Sequence, residues 1–466
     1  MRKGFIAVLL WLAAVAWAQT PYPRLDLGPE TGISVLFKAT ATPCDLARLL
    51  GGLERQGIRA RVLEFHRTLN PFREGRTAPN ELYQRVEREV LGGAVAAETL
   101  RRCEAVPPPG PGLAAPAELG PCEGAFALLE VDGVRLNEAI ARIAQNDFVL
   151  AVDDSHSSGW TDAPALVQAP PDYREAVGWR PGLEGGAGAG VTVAVLDTGV
   201  TDGVLDNFGS RLLPGFDFVS NDPDAREVPG NGGALHGTPV AALIAGERSG
   251  LAPRARVLPV RVCDEKGLCR ASHLIRGTCW ALSRVSSGGR DLRALRTLVL
   301  NYSLGSPKPI EPLRVLLAFA LQKNALAAAS AGNDGAQGYG ALPHFPAHYA
   351  PELEGLLGVA ALQPSPYEPG TWERMPSSTA GPHVEISAPG LTALAAYGGT
   401  SFATACVTGA LALWRNACPD LVPASVELKL RARATRDPLS GLVFRQLVGD
   451  GMLDLRAGFN CDPGAP

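Results

Sequence analysis

Three short stretches of the chain carry residue types that together could perform acyl transfer. In Gly398-Gly399-Thr400-Ser401-Phe402-Ala403-Thr404, a serine stands behind two glycines and opens a long apolar run, Phe402 to Trp414. A hydroxyl there can serve as a helix N-cap. It can equally be a nucleophile, with nearby backbone N–H groups and the helix dipole aimed at a developing oxyanion. His236-Gly237-Thr238 opens a second apolar run, Pro239 to Ala245, and sets an imidazole at or before a first helical turn. Asp197-Thr198-Gly199 closes the apolar run Val191 to Leu196. A carboxylate at such a strand end can accept a hydrogen bond from an imidazole. Taken singly, each stretch has an ordinary reading: a turn aspartate, a structural histidine, a capping serine. Taken together they hold a nucleophile, a base and a group that orients the base.

Such residues need a scaffold, and the sequence supplies one. Val191 to Leu196, Val257 to Val262, Leu298 to Ser303, Ala325 to Ala331 and Leu356 to Ala361 are short, almost continuously apolar, and separated by helical segments. Strands apolar on both faces and alternating with helices predict a parallel sheet covered by helices on both faces, an α/β class. In such sheets the active site lies beyond the carboxyl ends of the strands, where the three stretches fall.

A Gly-rich stretch, Gly182 to Gly190, separates this region from a different N-terminal one. There Ile33 to Lys38 reads as a strand. Asp45 to Gln56 reads as a helix with Leu46, Leu49, Leu50 and Leu53 on one face, and Ile58 to His66 as a strand. Ala125 to Val131, Leu136 to Gln145 and Phe148 to Val152 repeat strand, helix, strand. This predicts a small α+β domain of split βαβ, ferredoxin-like type. An insert at about residues 70–121 divides it, with a polar helix over Asn80 to Arg102 and the proline-rich loop Pro107 to Pro111. Cys103 and Cys122 flank that loop and could close it.

The three motifs, in the order Asp, His, Ser, closely resemble those of the subtilisin-like serine proteases, a family whose chain order is a standard example of this triad. The resemblance runs from about Ala165 almost to the C-terminus. It implies a subtilisin-like fold and a serine endopeptidase acting on polypeptides, with catalytic Asp197, His236 and Ser401. Ser330-Ala331-Gly332-Asn333 is similar to the family's oxyanion loop, which makes Asn333 the oxyanion donor alongside the Ser401 N–H. Ser303, Leu304 and Gly305 would pair with the substrate backbone and form one wall of the P1 pocket. Ser330, Ala331 and Gly332 would form the other wall. Gly267 and Leu268 would flank the substrate on its far side by β-augmentation. A Cys263–Cys269 disulfide would stiffen that edge and Cys418–Cys461 would staple the C-terminal tail, whereas Cys279 and Cys406 are expected as small core residues. Catalysis needs no cofactor and no metal; structural calcium is common in the family, but no acidic loop here commits to a site. Asp334 and His344 fall near the pocket mouth, and a broad, mainly hydrophobic or aromatic P1 preference is expected. Leu235, Pro239 and the pair Ala405-Cys406 depart from the family's usual residues.

The same resemblance makes the N-terminal domain an inhibitory propeptide. Residues 1–18 are read as a signal peptide: basic Arg2 and Lys3, an apolar stretch to Trp17, and Ala16-Trp17-Ala18 before the cut. Residues 19–160 are then the propeptide and 161–466 the peptidase, with self-cleavage expected between about Ser157 and Ala165 and Trp160 as a P1 candidate. A secreted monomer, extracellular or periplasmic, follows, and nine cysteines suit an oxidising compartment. An odd number leaves at least one thiol unpaired within the chain. The net charge of −4 over 466 residues, without blocks of one sign, gives no reason to expect nucleic acid or membrane as partner. No His-Glu-x-x-His occurs, and a lipase-type Gly-x-Ser-x-Gly in the order Ser, Asp, His does not fit. The remaining alternative is a catalytically impaired, peptide-binding member of the same fold.

Overall fold

The computed structural model describes residues 32–71, 81–106, 119–132, 136–159, 172–183, 186–230, 234–335, 343–395, 397–437, 439 and 445–462. The signal-peptide reading and Trp160 lie outside the described residues.

In the N-terminal domain the chain forms β1 (Gly32–Phe37), α1 (Pro43–Arg55), β2 (Arg59–His66), α2 (Glu81–Leu91), α3 (Ala97–Glu104), β3 (Phe126–Asp132), α4 (Leu136–Ala144) and β4 (Val149–Ser155). Thr42 and Asp45 start α1: the Asp45 carboxylate accepts the Thr42 N–H at 2.8 Å, and Pro43 occupies the first helical turn, where its missing donor costs nothing. The four strands are antiparallel in the order β2-β3-β1-β4, as the split βαβ reading requires. The predicted single helix of the insert is two, interrupted where Gly93 takes a positive φ of 90°.

The short strand β5 (Ser157–Gly159) follows, and the C-terminal domain continues with β6 (Thr192–Asp197), β7 (Phe216–Asp217), α5 (Gly237–Ala245), β8 (Arg256–Arg261), β9 (Leu268–Arg270) and α6 (Ala271–Val285). It then runs through β10 (Leu298–Tyr302), α7 (Glu311–Gln322), β11 (Leu326–Ser330), β12 (Leu356–Pro364), β13 (Trp372–Arg374), β14 (Ile386–Pro389), α8 (Thr400–Ala417) and α9 (Pro423–Ala432). The main sheet has the order β13-β12-β11-β10-β6-β8-β7, with β14 also beside β12; only the β12–β13 pairing is antiparallel. One hydrophobic core lies on the α5 and α8 side of this sheet. The other, on the α6 and α7 side, also takes in Leu36, Leu69, Leu119, Phe126, Leu128 and Ala151 from the N-terminal domain. The two domains therefore share a core. Among the described residues no helix is long and apolar enough to cross a membrane.

Four disulfides are formed. Cys263–Cys269 and Cys418–Cys461 are as expected. Two expectations are corrected. Cys103 does not close the proline-rich loop with Cys122 but bonds to Cys44, fastening α3 to α1 across a Cα separation of 5.1 Å. Cys122 reaches 157 residues along the chain to Cys279 in α6, which is therefore half of an interdomain bond rather than a small core thiol. Proximity in sequence suggested the first pairing; domain docking decides the second. Cys406 is the free, buried cysteine, and burial pushes its thiol well above the usual range.

Candidate active site

Asp197 is the last residue of β6, a central strand. His236 stands directly before α5, and Ser401 lies in the first turn of α8. The fold brings these three chain segments to the carboxyl end of the sheet. Their exposures are 0, 1 and 4 %, so what happens between them happens largely out of water. His236 Nδ1 and Asp197 Oδ1 are 2.7 Å apart, and Oδ1 also accepts the Thr198 N–H at 2.7 Å. A carboxylate held this way fixes the imidazole's orientation and favours the tautomer with its proton on Nδ1. Gly237 makes the approach possible: a Cβ there would run into the Gly199 carbonyl and sit 3.1 Å from Asp197 Cβ.

The Ser401 hydroxyl donates to the Ser303 carbonyl at 3.0 Å, and the Ser303 hydroxyl donates to the Ser401 carbonyl at 3.0 Å. Asn301 supports this exchange, donating from Nδ2 to Ser303 Oγ at 3.0 Å while its Oδ1 accepts from Thr408 at 2.8 Å. The start of α8 is thereby locked to the end of β10. Asn333 lies beside the same helix start. Its Oδ1 accepts from the Thr400 N–H at 2.9 Å and the Thr400 hydroxyl at 3.0 Å, which orients the amide with Nδ2 as its donor end. The N–H groups of a first helical turn have no acceptor within the helix. Ser401 and Asn333 thus bring two kinds of donor to one place.

The expected pocket walls also come together. Ser330 Oγ donates to the Leu304 carbonyl at 3.2 Å. The His344 ring stands between the two walls, in the space a Cβ on Gly305 would need, with Nδ1 2.9 Å from where a Cβ on Gly332 would project. Burial, and then the neighbouring His383, pull the His344 pKa down to about 3, so the ring is neutral. Asp334 is half-buried, and desolvation raises its pKa. On the opposite edge Gly267 directly precedes β9 and Leu268 begins it; Asp264 accepts the Leu268 N–H at 2.9 Å and the Cys263–Cys269 bond closes the turn. Ser157, Ser158 and Gly159 of β5 pair antiparallel with Arg270, Cys269 and Leu268. Among the described residues no group of three or more His, Cys, Asp or Glu side chains is placed to hold a metal ion.

Sequence reasoning missed two participants. Glu227, buried, accepts the backbone N–H groups of Gly237 at 3.0 Å and Thr238 at 2.8 Å, together with that of His236 and the Thr198 hydroxyl. It caps α5 from nine residues before the histidine, too far for the local capping rules to flag. Tyr397 donates to the Leu235 carbonyl at 2.6 Å, and its ring lies nearly parallel to that of His236 with centroids 6.4 Å apart.

The Subtilase family (Peptidase_S8) matches residues 188–459, more than half of the sequence and all three of these segments. The chain belongs to the subtilase family. Its relatives include subtilisin E of Bacillus subtilis (strain 168), 31 % identical over 265 residues, or 54 % of this chain and 62 % of that one. This subtilase thus spans about three-fifths of the length of that relative. An alkaline protease of Alkalihalobacillus alcalophilus is 30 % identical over 341 residues, covering 70 % of this chain and 76 % of its own. Fervidolysin from Fervidobacterium pennivorans, described as a keratinolytic enzyme related to subtilisin, superposes with a TM-score of 0.57. It is 21 % identical and covers 72 % of this chain and 56 % of its own, which speaks to the fold. Members of the family are serine endopeptidases and need no cofactor for catalysis.

Proposed function

We propose that this subtilase is a secreted serine endopeptidase that cuts polypeptides and is made as a self-processing zymogen. The observation that carries the reading is the buried Asp197–His236 hydrogen bond, with the His236 ring 6.0 Å from that of Phe402, the residue after Ser401. The hydroxyl of Ser401 turns from the Ser303 carbonyl toward His236 and attacks the scissile carbonyl. His236 takes the proton and returns it to the leaving amine, and Asp197 stabilises the imidazolium that forms between these steps. The tetrahedral oxyanion is met by Asn333 Nδ2 and the Ser401 N–H. A second attack, by water activated in the same way, releases the acyl group.

Substrate binds as a strand between β9 and residues 303–305, with its P1 side chain in the slot between the walls at 303–305 and 330–332. That slot presents neutral His344 and backbone, which favours an uncharged, hydrophobic P1 residue, with the imidazole limiting its size. The zymogen reading rests on β5: the segment just after the N-terminal domain already lies on β9, as a product strand would. The decisive experiment compares wild type with Ser401→Ala. The wild type is expected to shorten to a terminus between Ser157 and Ala165 and to digest casein, while the variant stays full length and inert. A wild type that stays full length and inert after oxidative folding would return the protein to the peptide-binding reading.

A further inference from the structure

The Cys122–Cys279 bond joins two parts of the chain that backbone cleavage near residue 160 would separate. Cys122 lies in a 3₁₀ turn (Gly120–Glu123) just before β3, and Cys279 lies in the middle of α6. Both are fully buried, inside the core that the two domains share. Around them the domains are closely fitted. Gly120, with a φ of 51°, has no side chain and lies against the Phe319 ring of α7. The Asp153 carboxylate of β4 accepts the Glu311 N–H at 3.0 Å, at the first turn of α7. Lys308 pairs with Asp154 at 2.8 Å, and Arg276 of α6 with Glu64 of β2 at 2.8 Å.

We propose that this disulfide makes the N-terminal domain a covalently retained subunit. Cutting the backbone does not release it, and the cleft is freed only when a thiol reductant opens the bond. The inference rests on the self-processing reading above. A noncovalent inhibitor domain leaves on dilution because its rebinding is bimolecular. A domain bonded through its own interface rebinds as an intramolecular event, at an effective concentration of millimolar order that dilution does not change. The β5 strand therefore stays on β9 at any dilution. Reduction alters this. Two thiols of the reductant give up two electrons and two protons and join as a disulfide, and Cys122 and Cys279 are left as two thiols. Dissociation then becomes an ordinary bimolecular equilibrium. Because both cysteines are buried, the reductant reaches the bond only as the interface opens, so substrate access and reduction depend on one motion.

The test starts with the processed full-length product, separated by size under denaturing conditions with and without dithiothreitol. One species without reductant and two with it are expected; two without it overturn the proposal. The activity arm uses the pair Cys122→Ser with Cys279→Ser, which leaves the other three disulfides intact. On dilution without reductant this pair should gain peptidase activity by about 10²-fold over the processed wild type, and equal activity of the two overturns the retained-inhibitor claim. Should the pair fail to fold, wild-type activity measured across a dilution series, before and after dithiothreitol, gives the same answer. A Ser401→Ala chain carrying a site-specific protease sequence after Trp160 separates this idea from the zymogen reading. Once cut by the added protease, it reports whether the domains stay joined even if self-processing never occurs.

Discussion

The carboxylate of Glu227 holds the backbone on which His236 sits: it accepts the N–H groups of His236, Gly237 and Thr238 and caps α5. A negative group at a helix N-terminus is favoured by the dipole, and here it also fixes where the imidazole stands relative to Asp197. Glu227→Gln should lower kcat by about 10- to 10²-fold with KM little changed, since small misplacements of a catalytic group cost this much. Glu227→Ala should in addition lose about 1–3 kcal/mol of stability through unsatisfied buried N–H groups. Steady-state kinetics and denaturant melts separate the two effects. An unchanged kcat in Glu227→Gln would show that the cap serves the fold alone.

Asn333→Ala should reduce kcat by about 10²–10³, a magnitude already measured for the oxyanion asparagine of subtilisin itself rather than calculated from this geometry. Its KM should barely move, because the oxyanion exists only in the transition state. Asn333 also ties down Thr400, so the variant needs a melting curve beside its kinetics. A loss seen in KM with kcat intact would reassign Asn333 to ground-state binding.

His344→Ala should deepen the slot between Gly305 and Gly332 and raise kcat/KM for Phe and Trp at P1 relative to Leu. One to two methylene equivalents of space correspond to a shift of about 10-fold or more. A P1 library on peptide substrates reads this directly. Parallel profiles for wild type and variant would remove the ring from the pocket.

Acid should destabilise the fold through its buried histidines. Burial lowers the pKa of His344 to about 3 and those of His383 and His273 to about 4. His383 packs against His348 with ring centroids 5.1 Å apart and contacts the Ala331 carbonyl at 3.2 Å, and Glu64 is the acidic neighbour of His273. Unfolded, each would titrate near 6.5. Between that value and about 4 the unfolded chain binds more protons than the folded one, so stability falls as pH drops through this window. Tm measured from pH 7 to 4 should decline, and less steeply in His383→Gln. Identical slopes would mean that other groups govern acid unfolding.

The parallel sheet was legible because its strands are apolar on both faces and short, and the split βαβ domain because its periodicities change in order. Asp197, His236, Ser401 and Asn333 sit in compact motifs in which the glycines needed for close approach are sequence neighbours. What escaped was fixed by tertiary docking. Glu227 acts across nine residues of loop, and Tyr397 across the gap between α5 and α8. Cys279 reads as a core residue until a domain arrives carrying Cys122. The insert helix was overrun because its polar period continues through Gly92-Gly93, where the backbone turns.

The β9 strand, stapled by Cys263–Cys269, has one further consequence. A strand at a sheet margin offers unpaired N–H and C=O groups to any extended chain, including that of another molecule. In this subtilase that margin is already engaged by Ser157–Gly159. While Ser157–Gly159 stay in place, that edge of β9 is taken, and a neighbouring copy cannot pair with it there.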